Sequence, residues 1–134
     1  MSSTVIPVLR YRDAPKAIEW LCDAFGFHAR MVVESEPGVI AHAQLVHGTG
    51  MVMLGSAEDG EFGRQVATVG TTGKPTAAVY VVVEDVAAHA EHARSAGAEI
   101  TIEPTEEDYG GRGYTCRDFE GNLWSFGSYD PWAE

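Results

Sequence analysis

The order of apolar and polar residues predicts a strand and then a helix at the start of the chain. Val5 to Tyr11 begins with apolar and β-branched residues, as a buried strand does. Asp13 offers a side chain that can cap a helix, Pro15 fits its first turn, and Gly26 ends it. Apolar residues recur at helical spacing between these ends, at Ile18, Leu21, Cys22 and Phe25.

Three strands are predicted after this helix. They are His28 to Glu34, Val39 to Val46 and Met51 to Gly55. The segments between them, Glu36-Pro37-Gly38 and Gly48-Thr49-Gly50, contain the turn-forming residues of hairpins. The first part of the chain is therefore expected to form a βαβββ module.

The same order of elements is predicted a second time. Ala77 to Val83 is a run of small and β-branched residues, which is typical of a strand buried on both faces. Asp85 caps the next helix, which runs to Gly97. The strands after it are Ala98 to Glu103, Gly113 to Asp118 and Leu123 to Tyr129. Ala57 to Pro75, rich in glycine and charge, is expected to be a connecting loop that Phe62 anchors.

Residues at the ends of predicted elements in the first half recur in the second half at a nearly constant spacing, which points to duplication of one unit. The pairs are Asp13 and Asp85 (85 − 13 = 72), Gly26 and Gly97 (97 − 26 = 71), and Gly55 and Gly127 (127 − 55 = 72). We expect a single domain over residues 1–134, with a first module at 4–56, a linker at 57–75 and a second module at 76–130. Two copies suggest paired halves with a cleft between them.

Composition and charge narrow the class of protein. The chain has 134 residues, 45% apolar and 22% charged, as an ordinary globular domain does. Nine Lys and Arg against twenty Asp and Glu give a net charge of −11, which disfavours nucleic acid and anionic membranes and attracts cations. No apolar run suits a membrane span and Met1 to Thr4 lacks a leader pattern, so a cytoplasmic location is expected. Cys22 and Cys116 are too few for a disulfide scaffold and are expected to be reduced.

Several segments of the chain carry a family pattern. They are Leu9-Arg10-Tyr11-Arg12-Asp13, Ala17-Ile18-Glu19-Trp20, Phe25-Gly26-Phe27, Tyr109-Gly110-Gly111-Arg112-Gly113-Tyr114 and Asp118-Phe119-Glu120-Gly121-Asn122-Leu123-Trp124. Together they resemble the vicinal oxygen chelate superfamily of glyoxalases, bleomycin-resistance proteins and extradiol dioxygenases, with Phe119 replacing the usual turn proline. The resemblance implies an α+β fold in which two tandem βαβββ modules form a cupped mixed β-sheet with the helices outside. It also implies a small-molecule site in the cup and a homodimer.

Enzymes of this superfamily hold a divalent metal with His, Gln or Glu side chains from the first and last strands of each module. The family pattern places these positions at Ile6 and Met53 in the first module and at Ala78 and Ser125 in the second. Aliphatic side chains have no donor atom, a thioether suits soft ions, and a serine hydroxyl is a weak neutral ligand. We therefore expect neither a metal nor a cofactor, and this absence favours a protein that is not an enzyme.

Six side chains are candidate ligand-binding residues: His42, Gln44, Tyr80, Tyr109, Arg112 and Ser125. His42 and Gln44 alternate along one strand and so share a face, where they either contact a ligand, form structural hydrogen bonds, or ligate a metal. Tyr80 has the parity of Ala78 and should face the cup. Arg112 either closes over a ligand with the glycine-rich loop or pairs with a nearby acid.

The remaining aromatic and histidine residues are expected to have structural roles. Trp124 should face away from Ser125, into packing, and Trp20 and Trp132 should pack as well. His89 and His92 are expected on a solvated helix face.

The function that these residues favour is non-catalytic binding of a drug or metabolite, with a cationic or an aromatic ligand. A metal-dependent lyase, isomerase or dioxygenase with displaced ligands is the alternative. A module whose main partner is another protein is the third reading.

Overall fold

The computed structural model describes residues 3–133, which form an α+β fold. The first elements are β1 (Val8–Tyr11), α1 (Ala14–Phe25), β2 (His28–Glu36), β3 (Val39–His47) and β4 (Gly50–Ser56). A short helix α2 (Val69–Thr72) precedes β5 (Ala78–Val82), α3 (Val86–Ser95), β6 (Glu99–Glu106), β7 (Arg112–Arg117) and β8 (Leu123–Gly127). Contacts divide the chain into two compact units, with the boundary between Gly73 and Lys74. The prediction of two tandem βαβββ modules is confirmed.

Each module forms one mixed four-stranded sheet. The strand order is β1-β4-β3-β2 in the first and β5-β8-β7-β6 in the second. The first and last strands of each module, β1 with β4 and β5 with β8, pair in parallel, and the remaining pairs are antiparallel. The outer strands β2 and β6 each contain register shifts against their neighbours.

One helix covers one face of each sheet. α1 contacts all four strands of its module, and its residues Leu21 and Phe25 are buried together with Leu45 of β3. α3 packs on β6 and β7 and buries Ala90 and Ala93. The largest core side chains of the second module are Trp124, Tyr114, Phe126 and Cys116. None of the helices within residues 3–133 combines the length and apolar character that a membrane span needs.

The ends of the two main helices follow from the residues that flank them. The Asp13 carboxylate accepts a hydrogen bond from Lys16 N at 3.2 Å, and the Asp85 carboxylate accepts one from Ala88 N at 3.0 Å. Both bonds satisfy an amide group that lacks a partner in the first helical turn. Gly26 ends α1 with a left-handed φ of 87°, which costs a glycine little.

A buried carboxylate organises the turn between β7 and β8. Asp118 accepts hydrogen bonds from the backbone N–H groups of Glu120 and Asn122 and from Nε1 of Trp124, each at 3.0 Å. Gly121 takes a positive φ of 96° between these donors. Trp124 is fully buried, so the prediction that it points into packing is confirmed.

Two predictions about burial are wrong. The sequence predicts a strand buried on both faces over Ala77 to Val83, yet Tyr80 is 39% and Val82 42% exposed in β5. The exposed positions alternate along β5 (Ala78, Tyr80 and Val82), so they lie on the open face of the sheet, which α3 does not cover. Trp132 was expected to pack and is 93% exposed, since it follows β8 in a segment outside any helix or strand.

His89 also differs from its predicted place on a solvated helix face. Its Nδ1 lies 2.6 Å from the hydroxyl oxygen of the buried Tyr114, and its ring lies 4.3 Å from that of Phe126. His89 therefore belongs to the helix–sheet interface of the second module. His92, one turn further along α3, is exposed as predicted.

We expect both helix caps to contribute similarly to stability because they make the same hydrogen bond. Asp13→Ala and Asp85→Ala should each lower the free energy of unfolding by about 1 kcal/mol. Urea unfolding followed by circular dichroism measures this change. Asp59→Ala, in an exposed part of the connector, is the matched control and should change little. Caps that contribute nothing would leave all three variants alike.

Alkaline pH should weaken the second module through Cys116. Burial, with a smaller effect of Asp118, raises the pKa of this thiol from 9.0 to about 12. The folded chain therefore keeps a proton that the unfolded chain releases, so this stabilisation is complete below pH 9 and is lost as the pH rises towards 12. Urea unfolding should show that the free energy of unfolding declines between about pH 7.5 and 10, and that this decline is shallower in Cys116→Ala. Equal slopes for both proteins would contradict this assignment.

Candidate functional site

Each sheet leaves open the face opposite its helix, and one row of residues crosses that face. In the first module, strand pairing aligns Val8 with Met53, Met53 with Gln44, and Gln44 with Met31. In the second, it aligns Tyr80 with Ser125, Ser125 with Thr115, and Thr115 with Ile102. Directly paired residues lie on the same face of a sheet. The first two members of the second row each follow their counterparts by 72 positions (80 − 8 and 125 − 53) and the last two by 71 (115 − 44 and 102 − 31).

The open face of the first sheet is rich in thioethers. Met53 and Met31 lie in the row, and Met51 has the parity of Met53 on β4. Val8 and Met31 are 45% and 46% exposed. Methionine side chains are flexible and polarisable, and they adapt to the faces and edges of aromatic rings.

The predicted residues His42 and Gln44 meet on this face and bond to each other. Arg30 Nη1 donates to Gln44 Oε1 at 2.9 Å, and Gln44 Nε2 lies 3.0 Å from His42 Nε2. Because a guanidinium only donates, Arg30 fixes the orientation of the amide, and Gln44 must then donate to His42. In this arrangement Nε2 of His42 is the acceptor. The structural hydrogen bonds foreseen for these residues are therefore present, and the exposed edge of the pair still offers polar contacts.

The side chains at the family's metal positions do not fit a divalent metal. The strand register places Val8 beside Met53 and Tyr80 beside Ser125. The side chains around the expected metal positions therefore also include an aliphatic group and a phenol. Ser125 Oγ is already hydrogen-bonded to Thr115 Oγ1 at 2.8 Å. No group of three or more His, Cys, Asp or Glu side chains suited to a metal occurs within residues 3–133.

Three tyrosines gather at one end of the second sheet. The Tyr80 hydroxyl donates to the Tyr129 carbonyl oxygen at 2.7 Å, and the Tyr109 and Tyr129 rings meet edge to face at 4.9 Å. A Cβ atom at Gly127 would lie 2.5 Å from the Tyr80 hydroxyl oxygen, so a larger residue there would displace this hydroxyl. Burial is the main cause that raises the pKa of Tyr80, and nearby Tyr109 adds to it.

The glycine-rich loop before β7 is held against the segment after β8. Arg112 N donates to Ser128 Oγ at 2.9 Å, and Gly111 has a positive φ of 69°. A Cβ atom at Gly111 would lie 2.7 Å from Ser128 Oγ, so the close approach also requires glycine. The Arg112 guanidinium is exposed and makes no ion pair within the described part of the chain, so the alternative in which it pairs with a nearby acid is not formed.

Sequence reasoning missed Arg10 and Tyr129 as members of these faces. Arg10 has the parity of Val8, and its Cα lies opposite that of Gly55. Strand alternation alone could have placed Arg10 on this face. It was not considered because Arg10 is not one of the family's metal positions. Tyr129 was assigned to the last strand, whereas β8 ends at Gly127 and Tyr129 contributes through its backbone carbonyl and ring.

Comparisons with known proteins agree with this two-module fold. The family model for the Glyoxalase/Bleomycin resistance protein/Dioxygenase superfamily matches residues 4–126. The crystal structure of TioX from Micromonospora sp. ML1 is 32% identical, with a TM-score of 0.74 over 94% of this chain and 98% of that one. A superfamily member from Sphaerobacter thermophilus has 18% identity and a TM-score of 0.71, covering 95% and 97%. No curated protein matches the chain.

A glyoxalase I mutant from Zea mays shows how the chain relates to larger members. It has 19% identity and a TM-score of 0.68, and the match covers 92% of this chain but 44% of that one. Two tandem modules with one open face each define an α+β protein of the vicinal oxygen chelate type. The chain belongs to the Glyoxalase/Bleomycin resistance protein/Dioxygenase superfamily.

The Tyr80 hydroxyl should stabilise the second module. Tyr80→Phe removes the hydrogen bond to Tyr129 and should lower the free energy of unfolding by about 1 kcal/mol. Tyr109→Phe is a matched control, because the Tyr109 hydroxyl makes no hydrogen bond among residues 3–133. Denaturant unfolding of both variants measures the difference. Equal losses would show that the Tyr80 bond does not carry the effect.

Proposed function

We propose that this protein binds a small molecule on its open sheet faces without a metal and holds it rather than converting it. The observation that carries the proposal is the makeup of the two rows, which combine exposed apolar side chains with a few hydrogen-bonding groups. Sites for organic ligands have this character, since apolar walls provide affinity and placed polar groups fix orientation. The family's metal positions, in contrast, hold Met53, Ser125 and side chains with no suitable donor.

Each row offers its own kind of contact to an aromatic ligand. Thioethers of Met31 and Met53 match the faces and edges of aromatic rings. Tyr80, Ser125 and Thr115 provide a ring and hydroxyl groups that donate or accept hydrogen bonds. His42, Gln44, Tyr109 and Arg112 complete the polar groups that we assign to ligand contact.

We also propose that the protein works as a homodimer. Met31, Val32 and Val33 are consecutive, each 45% to 46% exposed, and lie on the edge strand β2. An exposed apolar edge strand tends to pair with another surface unless the protein protects it. Sedimentation of the purified protein tests this part of the proposal.

The alternative function is a metal-dependent enzyme of the same superfamily with displaced ligands. His42 favours it, because imidazole is a common metal ligand and this ring lies on the open face. In that case His42 would have to break its hydrogen bond with Gln44 to bind the metal through Nε2.

Metal content and ligand stabilisation separate the two functions. Protein purified without a histidine tag or chelator should contain no stoichiometric divalent metal, and added zinc, nickel, manganese or iron should not raise its melting temperature. An aromatic ligand found in a thermal screen should stabilise it equally with and without EDTA, by about 2.7 kcal/mol at a hundred times Kd. Near-stoichiometric metal with metal-dependent turnover would instead establish the enzyme.

A variant pair tests where that ligand binds. Gln44→Ala removes a polar group from the open face of the first sheet. It should raise the Kd of the ligand by about tenfold, which equals about 1.4 kcal/mol of binding free energy. Gln65→Ala is the control, since its exposed side chain bonds to Glu61 in the connector. Equal affinities in both variants would remove the first face from the binding site.

A further inference from the structure

Arg10 is a basic group on the open face of an acidic protein, and it has no acidic partner. The chain has a net charge of −11, so a carboxylate partner would be easy to supply. Within residues 3–133, Arg94 forms ion pairs with Glu91 and Glu103, whereas Arg10 forms none. An arginine kept unpaired on a candidate binding face therefore requires an explanation.

The guanidinium of Arg10 is held in a defined position. Its Nη1 lies too close to the position of a Cβ atom at Gly55 for a side chain to fit there beside it, and its Cζ lies 4.8 Å from the ring centroid of Phe62 in the connector. Nη1 donates to the carbonyl oxygen of Ser56 in a long hydrogen bond of 3.4 Å. Phe62, the residue expected to anchor the connector, is 46% exposed and contacts Arg10 through its ring.

Most of the donor capacity of this guanidinium is unused. Nε is buried and has no hydrogen-bond partner within the described residues, and Nη2 donates to none of them. A buried donor without an acceptor is unfavourable by about 1 to 3 kcal/mol. A guanidinium presents its N–H groups as a planar fork, which matches the two oxygens of a carboxylate. Because the protein encloses Nε, the Nη1 and Nη2 side of the fork is the part that can meet an acceptor from outside the folded chain.

Two basic side chains, Arg10 and Arg30, lie at this face of a protein whose net charge is negative. Arg30 also reaches the face, where its guanidinium donates to Gln44. Charges in water are screened beyond about 8 to 10 Å at physiological ionic strength. Nearby arginines therefore decide which ligand charge is favoured here, and the net charge of −11 does not.

We propose that Arg10 recognises an anionic oxygen of the ligand, and that the ligand is an aromatic compound bearing a carboxylate. This inference rests on the proposed binding function and replaces the cationic ligand that net charge suggested. Val8 lies two residues before Arg10 on the same face, about 6.6 Å away along the strand, beside Met53. This spacing lets a ring contact Val8 and Met53 while its carboxylate reaches the Arg10 fork.

Three naphthalene probes of one shape and different charge test the inference. They are 2-naphthoate, neutral 2-naphthamide and cationic 2-naphthylmethylamine, titrated by calorimetry at constant ionic strength. The unmodified protein should bind naphthoate at least about tenfold more tightly than the amine, since charge-assisted bonds to a guanidinium are the stronger kind.

Variants of the arginine separate recognition from a purely structural role. Arg10→Gln should reduce the naphthoate preference to less than about threefold while naphthamide binding changes little. Arg10→Lys keeps the charge but loses the fork, so it should recover only part of the preference. Arg12→Gln, at an exposed position that contacts the connector near Gly70, is the matched control and should keep it. Phe62→Leu removes the ring contact alone and should also keep it.

Each outcome decides between the claims. Naphthalene binding without a charge preference, or a preference that survives Arg10→Gln, would overturn the role of Arg10 and leave small-molecule binding intact. Failure of all three probes to bind at millimolar concentration would count against aromatic binding itself, and the role of Arg10 would fall with it. Loss of the preference in Phe62→Leu to the same degree as in Arg10→Gln would show that Arg10 acts by holding the connector.

Discussion

Parallel pairing of the first and last strands is the constraint on which each module depends. Parallel neighbours cannot be joined by a tight turn, so the chain must cross over between them. In the first module that crossover contains α1, β2 and β3, which places the helix on one side of the sheet. The same pairing fixes which residues stand side by side, such as Val8 with Met53. The core and the open face therefore have a single common cause.

Local sequence signals predicted the elements well because they depend on a few neighbouring residues. Asp13 and Gly26 mark the ends of α1, and both act through backbone groups close by. The burial of β5 was not predictable in this way, since a strand buried on both faces and a strand with one open face share the same β-branched composition. The prediction that Trp132 packs was wrong for a related reason, because aromatic character favours packing only where another surface is within reach.

The candidate site was predictable in part. Strand alternation correctly put His42 and Gln44 on one face, but it contained nothing about Arg30, whose guanidinium reaches Gln44 from a register shift in β2. Arg10 was not predicted as a site residue because the groups around it, Gly55 and the connector residue Phe62, are distant in sequence. Contacts of this kind follow from the folded backbone and leave no periodic pattern in the chain.

Gly55 and Gly127 occupy corresponding positions in the last strands of the two modules, and each provides a socket for a side chain from the first strand. The Arg10 guanidinium fills the socket at Gly55, and the Tyr80 hydroxyl fills the one at Gly127. One duplicated backbone thus accepts a cation in one copy and a phenol in the other without a change in strand register. The two side chains come from different positions of the first strand, since Arg10 corresponds to Val82 and Tyr80 to Val8. Binding preference in this architecture can therefore diversify by changing which first-strand side chain fills a fixed socket, while the sheet that carries it stays the same.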